Sequence, residues 1–146
     1  MKKLILISLA AIFFCYPHLL ANSNEFEMSE EGKKAYAHLK SVERFIVGGL
    51  GEAPGKLAYQ SENEAALLVL LDEKEGEAAL KNLVTLGSRE GQLYALFGLH
   101  LKFPKSFDET IHIYRAKTPV NKKVTDQFGC EVMKDTIGNI TKSIET

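Results

Sequence analysis

Ser61-Glu62-Asn63-Glu64-Ala65-Ala66-Leu67-Leu68-Val69-Leu70-Leu71 decides how the rest of the chain is read. The apolar run from Ala65 to Leu71 would suit a buried strand or a buried helix, and periodicity alone does not separate the two. The four residues in front of it do. A serine followed three positions later by a glutamate is a capping box, in which hydroxyl and carboxylate each take up a free amide at a helix start. With its alanines and leucines, the run is therefore predicted to be a helix. Because it is apolar all round, it is expected in the middle of a stack.

The same punctuation recurs downstream. Glu75 to Leu86 carries Ala79, Leu80, Leu83, Val84 and Leu86 on its apolar side and meets Gly87 as a stop. Ser88 can cap a third segment running to about Lys102, with Pro104 closing it. Ser106-Phe107-Asp108-Glu109 has the form of a second capping box. It opens a fourth segment through about Lys117, with Phe107, Ile111 and Tyr114 facing inward and Pro119 ending it. Connections of a few residues force antiparallel neighbours. The predicted fold class is thus all-α, with stacked antiparallel helical hairpins.

Upstream, Ala35, Leu39, Val42 and Ile46 share one helical face, which predicts a helix from Ser29 to Val47 ended by Gly48-Gly49. Leu50 to Gln60, with Gly51, Pro54 and Gly55, reads as a loop. Downstream, Val120 to Met133 reads as a short strand or irregular insertion, closer to loop than to strand. Met133, Ile137, Ile140 and Ile144 then mark an amphipathic C-terminal helix despite Gly138.

The N-terminus reads as an address. Lys2 and Lys3 precede the run Leu4 to Cys15, in which Ser8 is the one polar residue; its length suits a signal peptide and is too short for a spanning helix. Ala21-Asn22-Ser23 favours cleavage before Asn24, since a cut after Ala21 places the bulkier Leu19 at −3. A retained anchor is disfavoured by Pro17 and His18, and lipidation at Cys15 by Ile12-Phe13-Phe14. The domains are accordingly 1–23 signal peptide, 24–30 polar leader and 31–146 a single helical domain, exported to the periplasm or beyond, with no membrane span after cleavage.

Removal of that segment changes the composition. The 146-residue chain is 45% hydrophobic and 25% charged with net charge −1. Without Lys2 and Lys3 the remaining 123 residues carry −3, and Cys15 leaves with the leader. A mildly acidic chain with no basic block makes no electrostatic case for nucleic acid or an anionic membrane. One thiol excludes an intramolecular disulfide framework.

Gly91-Gln92-Leu93-Tyr94-Ala95-Leu96-Phe97-Gly98-Leu99, within Ser88 to Leu101, resembles the pattern of bacterial HEAT-like α-helical repeat proteins. It is also similar to exported bacterial proteins in which such a helix precedes a Gly-Cys segment, here Gly129-Cys130. The resemblance covers at most Asn63 to Ile144 and rests on hydrophobic positions. It implies stacked helices and carries over no catalytic residue; two units are few for a solenoid, and the insertion before the last helix departs from the pattern.

Candidate chemistry is sparse. Glu109 and His112 have the spacing by which bundles present a carboxylate and an imidazole to a metal, and His100 ends the preceding helix. A second Glu-x-x-His is missing, so these histidines, with His38, are expected at the solvated surface. Cys130 can be a buried small hydrophobe, an intermolecular disulfide or a nucleophile, and burial is the expectation. Gly98 is read as a close helix approach rather than a backbone-lined groove. Asp72, Glu73, Glu75 and Glu77 lack the ligand spacing of an EF-hand and are expected to be a solvated junction complementing a helix start. No Gly-x-Ser-x-Gly elbow is present. No catalytic, cofactor-binding or metal residue is assigned. The expected role is an exported, non-enzymatic binding or scaffold module acting through a helical surface on an unidentified protein partner. The alternative is a small envelope enzyme or ligand-binding protein with its site between the 51–60 loop and the Cys130 region. N-terminal sequencing of the fractionated protein is expected to start at Asn24; a mature chain beginning at Met1 sinks the export assignment.

Overall fold

The computed structural model describes residues 26–46, 61–128 and 131–146. Within them lie six helices: α1 (Glu30–Lys40), α2 (Glu62–Asp72), α3 (Gly76–Leu86), α4 (Arg89–Lys102), α5 (Pro104–Lys117) and α6 (Ile137–Ile144). Three short strands, β1 (Phe45–Ile46), β2 (Lys123–Phe128) and β3 (Glu131–Thr136), form a sheet in that order. The β1–β2 pairing is parallel and β2–β3 antiparallel. The molecule is mostly helical, as expected, with a small sheet at one side.

The Ser61 capping box forms in full: its hydroxyl accepts from the Glu64 amide, and the Glu64 carboxylate accepts from the Ser61 amide. Ser88 caps α4 by accepting from the Gly91 amide. The second capping box does not form. Pro104 opens α5 instead of closing α4, because its missing N–H costs nothing at a first helical position. Ser106 then lies inside the helix and gives its hydroxyl hydrogen to Glu77.

Other expectations are corrected at the edges. The first helix stops at Lys40, capped by Ser41, rather than reaching Val47. Val42 and Ile46 are still buried, but Ile46 reaches the core from strand β1. The insertion is a β-hairpin rather than a loop. It takes Met133, half exposed, out of the C-terminal helix, which begins at Ile137. The leader is not loose from Phe26 on. The Glu27 amide donates to Glu75 at 2.7 Å, the Ser29 amide donates to Glu73 at 3.1 Å, and Phe26 tilts against Tyr36. Gly48-Gly49 and the 50–60 loop lie outside the described residues.

Helix α4 is the hub. It touches every other helix and strands β1 and β2, and Leu93, Tyr94, Ala95, Leu96 and Leu99 are fully buried. The central position expected of the Ala65 to Leu71 run belongs to this helix instead. Helix α2 is peripheral and leaves Leu68 half exposed. At Gly98, a Cβ would lie 2.7 Å from a Leu67 methyl and 3.2 Å from a Leu80 methyl. The close-approach reading of Gly98 is therefore right in kind, and the space is filled by side chains of α2 and α3.

One stripe of α4 holds the segment after α1. The Ser88 amide donates to Lys40 O at 2.8 Å, and its hydroxyl donates to Val42 O at 2.6 Å. Three residues on, a Cβ at Gly91 would stand 2.1 Å from Leu39 O, so α1 ends directly on the α4 backbone. A further three residues on, the Tyr94 hydroxyl donates to Ile46 O and accepts from Ile46 N–H, each at 2.7 Å.

Gly91→Ala is expected to destabilise by about 1–3 kcal/mol even though alanine favours helix, because backbone rather than a flexible side chain must move. Gly98→Ala meets only methyl ends and is expected to cost less. Tyr94→Phe strands a buried N–H and a buried C=O, for a loss of about 2–4 kcal/mol. Urea unfolding of the three variants checks the order; a Gly98→Ala cost above that of Gly91→Ala contradicts the α1–α4 contact.

Candidate functional site

Helices α3 and α5 both pack on α4 and start at the same end of it, so they run side by side with α4 beneath. Their N-terminal ends are closed together by the Ser106 hydroxyl on the Glu77 carboxylate. Lys81 adds an ion pair to that carboxylate at 3.0 Å. Toward the C-terminal ends the helices leave an open groove of about 370 Å³. Its walls carry Lys81 and Lys117, the apolar Val84 and Ile113, and the hydroxyls of Thr85, Thr110 and Thr118. Gln92 of α4 also lines it, with its amide nitrogen donating to Gly87 O at 3.2 Å. Ile113 is 56% exposed, as Leu86 at the end of α3 also is, and Lys117 makes no ion pair with a described residue.

Tyr114 also lines this groove, and its ring is buried. Its hydroxyl is the one buried side-chain oxygen or nitrogen among the described residues without a hydrogen-bond partner. Burial pushes the phenol up to about 12; the Thr118 hydroxyl acts against that shift from close by but does not reach hydrogen-bonding geometry. Tyr114 was expected on the inner face of its helix. What sequence reasoning missed is that its polar end has no partner there, which depends on where α3 and α4 end up.

The acidic junction is put to structural use. Glu73 accepts from the Ser29 amide and hydroxyl, and those bonds hold its carboxylate below the ordinary range. Glu77 is lowered by the Ser106 hydroxyl first and by Lys81 second. Glu75 holds the Glu27 amide, and Asp72 pairs with Lys102 at 3.3 Å. These carboxylates tie the leader to α3, α3 to α5 and α2 to α4. A solvated junction is half right: Asp72 is exposed and Glu73, Glu75 and Glu77 are half-buried, and all four are clamps.

The histidines separate. His38 Nε2 lies 2.6 Å from Asn63 Oδ1, and Asn63 Nδ2 donates to Arg44 O at 3.1 Å, so this pair fixes the turn after α1. His100 packs edge-on against Phe107 at 4.9 Å between centroids. His100 and His112 both lie near enough to act on Glu145, whereas Glu109 joins no such group. No cluster of three metal-ligating side chains occurs among the described residues. Cys130, and with it the alternative site against the 51–60 loop, lies outside the described residues. Two further hollows are bordered by structural contacts, and the second, of about 600 Å³, is larger than the α3–α5 groove. One, of about 170 Å³, is lined by Asp126 and Asp135 under Phe97, and Asp135 is held by the Thr136 amide and by Asn139. The other is an open trough bordered by the Arg115–Glu145 pair, two bonds of 2.8 Å each.

That pair docks α6 on α5 and carries a pH dependence. Arg115 holds the Glu145 carboxylate below its unfolded range, with positive charge on His112 and His100 acting in the same direction. A depressed folded pKa adds stability above the unfolded value and loses it as pH falls through the folded one. Because the pair is partly exposed, the effect is small. Glu145→Gln is expected to flatten part of the decline in melting temperature between about pH 5 and pH 3. An unchanged acid limb contradicts the assignment. No protein-family model, curated protein or solved structure matches this chain.

Proposed function

We propose that the protein is an exported, non-enzymatic binding module that works through its helical surface, with the α3–α5 groove as its contact face. The observation that carries this reading is a contrast in how polar and apolar groups are used. At the junctions, Glu73, Glu75, Glu77 and Asp72 are engaged in holding elements together. In the groove, Ile113 is exposed and Lys117 makes no ion pair with a described residue. A concave surface that presents an apolar side chain beside an unpaired cation is suited to contact.

The succession α2–α3–α4–α5, with connections of one to three residues, also supports the resemblance to HEAT-like proteins, whose helical pairs present contact surfaces. A leader rich in apolar residues supports export.

Affinity capture from envelope extract tests the reading. The mature protein is expected to retain a reproducible partner, and Ile113→Glu, a surface change that leaves the core intact, is expected to lose it. Retention by Ile113→Glu combined with loss in Cys130→Ser would overturn the groove and point to the Cys130 region.

A further inference from the structure

We infer that the outer edge of β3 takes up an extended peptide as an added strand, with an acidic residue beside Lys134 and apolar residues beside Met133 and Val132. This surface is separate from the α3–α5 groove and does not depend on it. Elsewhere in the sheet, side chains close the bare edges. The Tyr94 hydroxyl takes up both backbone groups of Ile46 on the free side of β1. Where β2 extends beyond β1, the Glu90 carboxylate accepts from the Thr125 amide at 3.2 Å. β3 ends the sheet on the other side and pairs with β2 alone.

The register shows which groups stay open there. In an antiparallel ladder, successive residues turn their backbone groups alternately toward the partner strand and away from it. The Ile137 amide donates to Lys122 O at 2.9 Å, one step beyond the Lys123 to Thr136 pairing. Asp135 and Met133, at two-residue steps before Ile137, therefore face β2, whereas Lys134 and Val132 turn outward. Thr125, paired with Lys134, obeys the same alternation by turning its amide away to Glu90. Among the described residues nothing bonds the backbone of Val132 or Lys134 from the open side. Such an edge is a template for another strand.

Charge chooses among strands. Val124 is buried, so the positions alternating with it and with its partner Asp135 make the outer face of the hairpin. Lys123 and Lys134 are diagonal neighbours on that face, and it holds no acid. Neither lysine makes an ion pair with a described residue. Like charges so placed repel, and an acid on an added strand beside Lys134 relieves them. A second copy of this chain fits less well. Two-fold pairing of β3 with itself opposes Glu131 to Asp135 if centred on Met133, and Lys134 to itself if centred there. Centred on Val132, it sets the apolar Met133 against Glu131. Lys134 thus discourages self-pairing while it selects an acidic partner.

The test is an NMR amide titration of the mature protein with the end-capped peptide TTEVVTS, which can set its acid and two valines antiparallel beside Lys134, Met133 and Val132. Saturable shifts are expected at the Val132 and Lys134 amides. The same peptide N-methylated at the acid and at the second valine, the two residues whose amides would face the edge, is expected not to bind. Lysine in place of the peptide's acid is expected to weaken binding about threefold or more, and Lys134→Glu to reverse that preference. In the free protein, the Val132 and Lys134 amides are expected to exchange with deuterium faster than those of Met133 and Asp135. Equal protection of all four amides overturns the open edge, and a dimer that shifts Val132 and Lys134 without peptide makes the occupant a second copy and overturns the peptide. Equal binding of the N-methylated peptide overturns strand addition, and equal binding of the lysine peptide overturns the acidic partner. Absence of saturable shifts overturns the inference and leaves the groove untouched, since Ile113→Glu is read separately by capture.

Discussion

A single tyrosine hydroxyl stands in for a neighbouring strand. β1 is two residues long and pairs on one side with β2. A buried strand with one bare edge would leave polar backbone groups without partners, which proteins avoid. The Tyr94 hydroxyl takes both groups of Ile46, accepting from its N–H and donating to its C=O. The Tyr94 ring lies 4.8 Å from that of Phe45, so one side chain fills the core and completes the strand. Ser88 and Gly91, at three-residue steps on the same stripe, hold the chain from Leu39 to Val42. The sheet, the end of α1 and the start of α4 are therefore one construction, and α4 has to be buried because everything else is pinned to it.

The helical elements were legible in the sequence wherever signals are local. Capping depends on residues within one turn, so Ser61 and Ser88 marked real helix starts. The apolar faces of α3 and α5 followed from periodicity at Leu80, Leu83, Phe107, Ile111 and Tyr114, which are buried, but not at Leu86, which ends α3 more than half exposed. Two local signals competed at 104–109. Ser106-x-x-Glu109 and Pro104 both mark helix starts, and the proline prevails because its fixed φ already suits the first turn. Once the helix begins at Pro104, Ser106 is free to bond Glu77.

What was not legible depends on partners far away in sequence. Ile46 fits the helical face of Ala35, Leu39 and Val42, and nothing local says that the chain leaves the helix at Lys40. The reason lies 48 residues on, in a tyrosine whose hydroxyl needs extended backbone to bond. The acidic residues at 72–77 behave in the same way. A carboxylate reads locally as a solvated charge or a helix-start partner. That Glu73 holds Ser29 and Glu77 holds Ser106 follows only from which helices meet. Met133 likewise fits an amphipathic helix until pairing with Asp126 draws it into β3.

The groove is a consequence of the same geometry rather than an addition to it. With α4 buried by contact all round, α3 and α5 must lie on it as parallel neighbours. Their N-terminal ends are tied through Glu77, and no comparable bond between Thr85 and Thr118 closes the other end. The opening lies beyond that tie, beside the C-terminal turn of α5. That turn collects Lys117 for a reason internal to the helix, since a cation there offsets the partial negative charge of the carbonyls. The buried Tyr114 phenol one turn earlier lies in the same place because the apolar face of α5 ends there. Positive charge and an exposed apolar side chain thus meet beside the last turn of α5 through helix chemistry and packing alone.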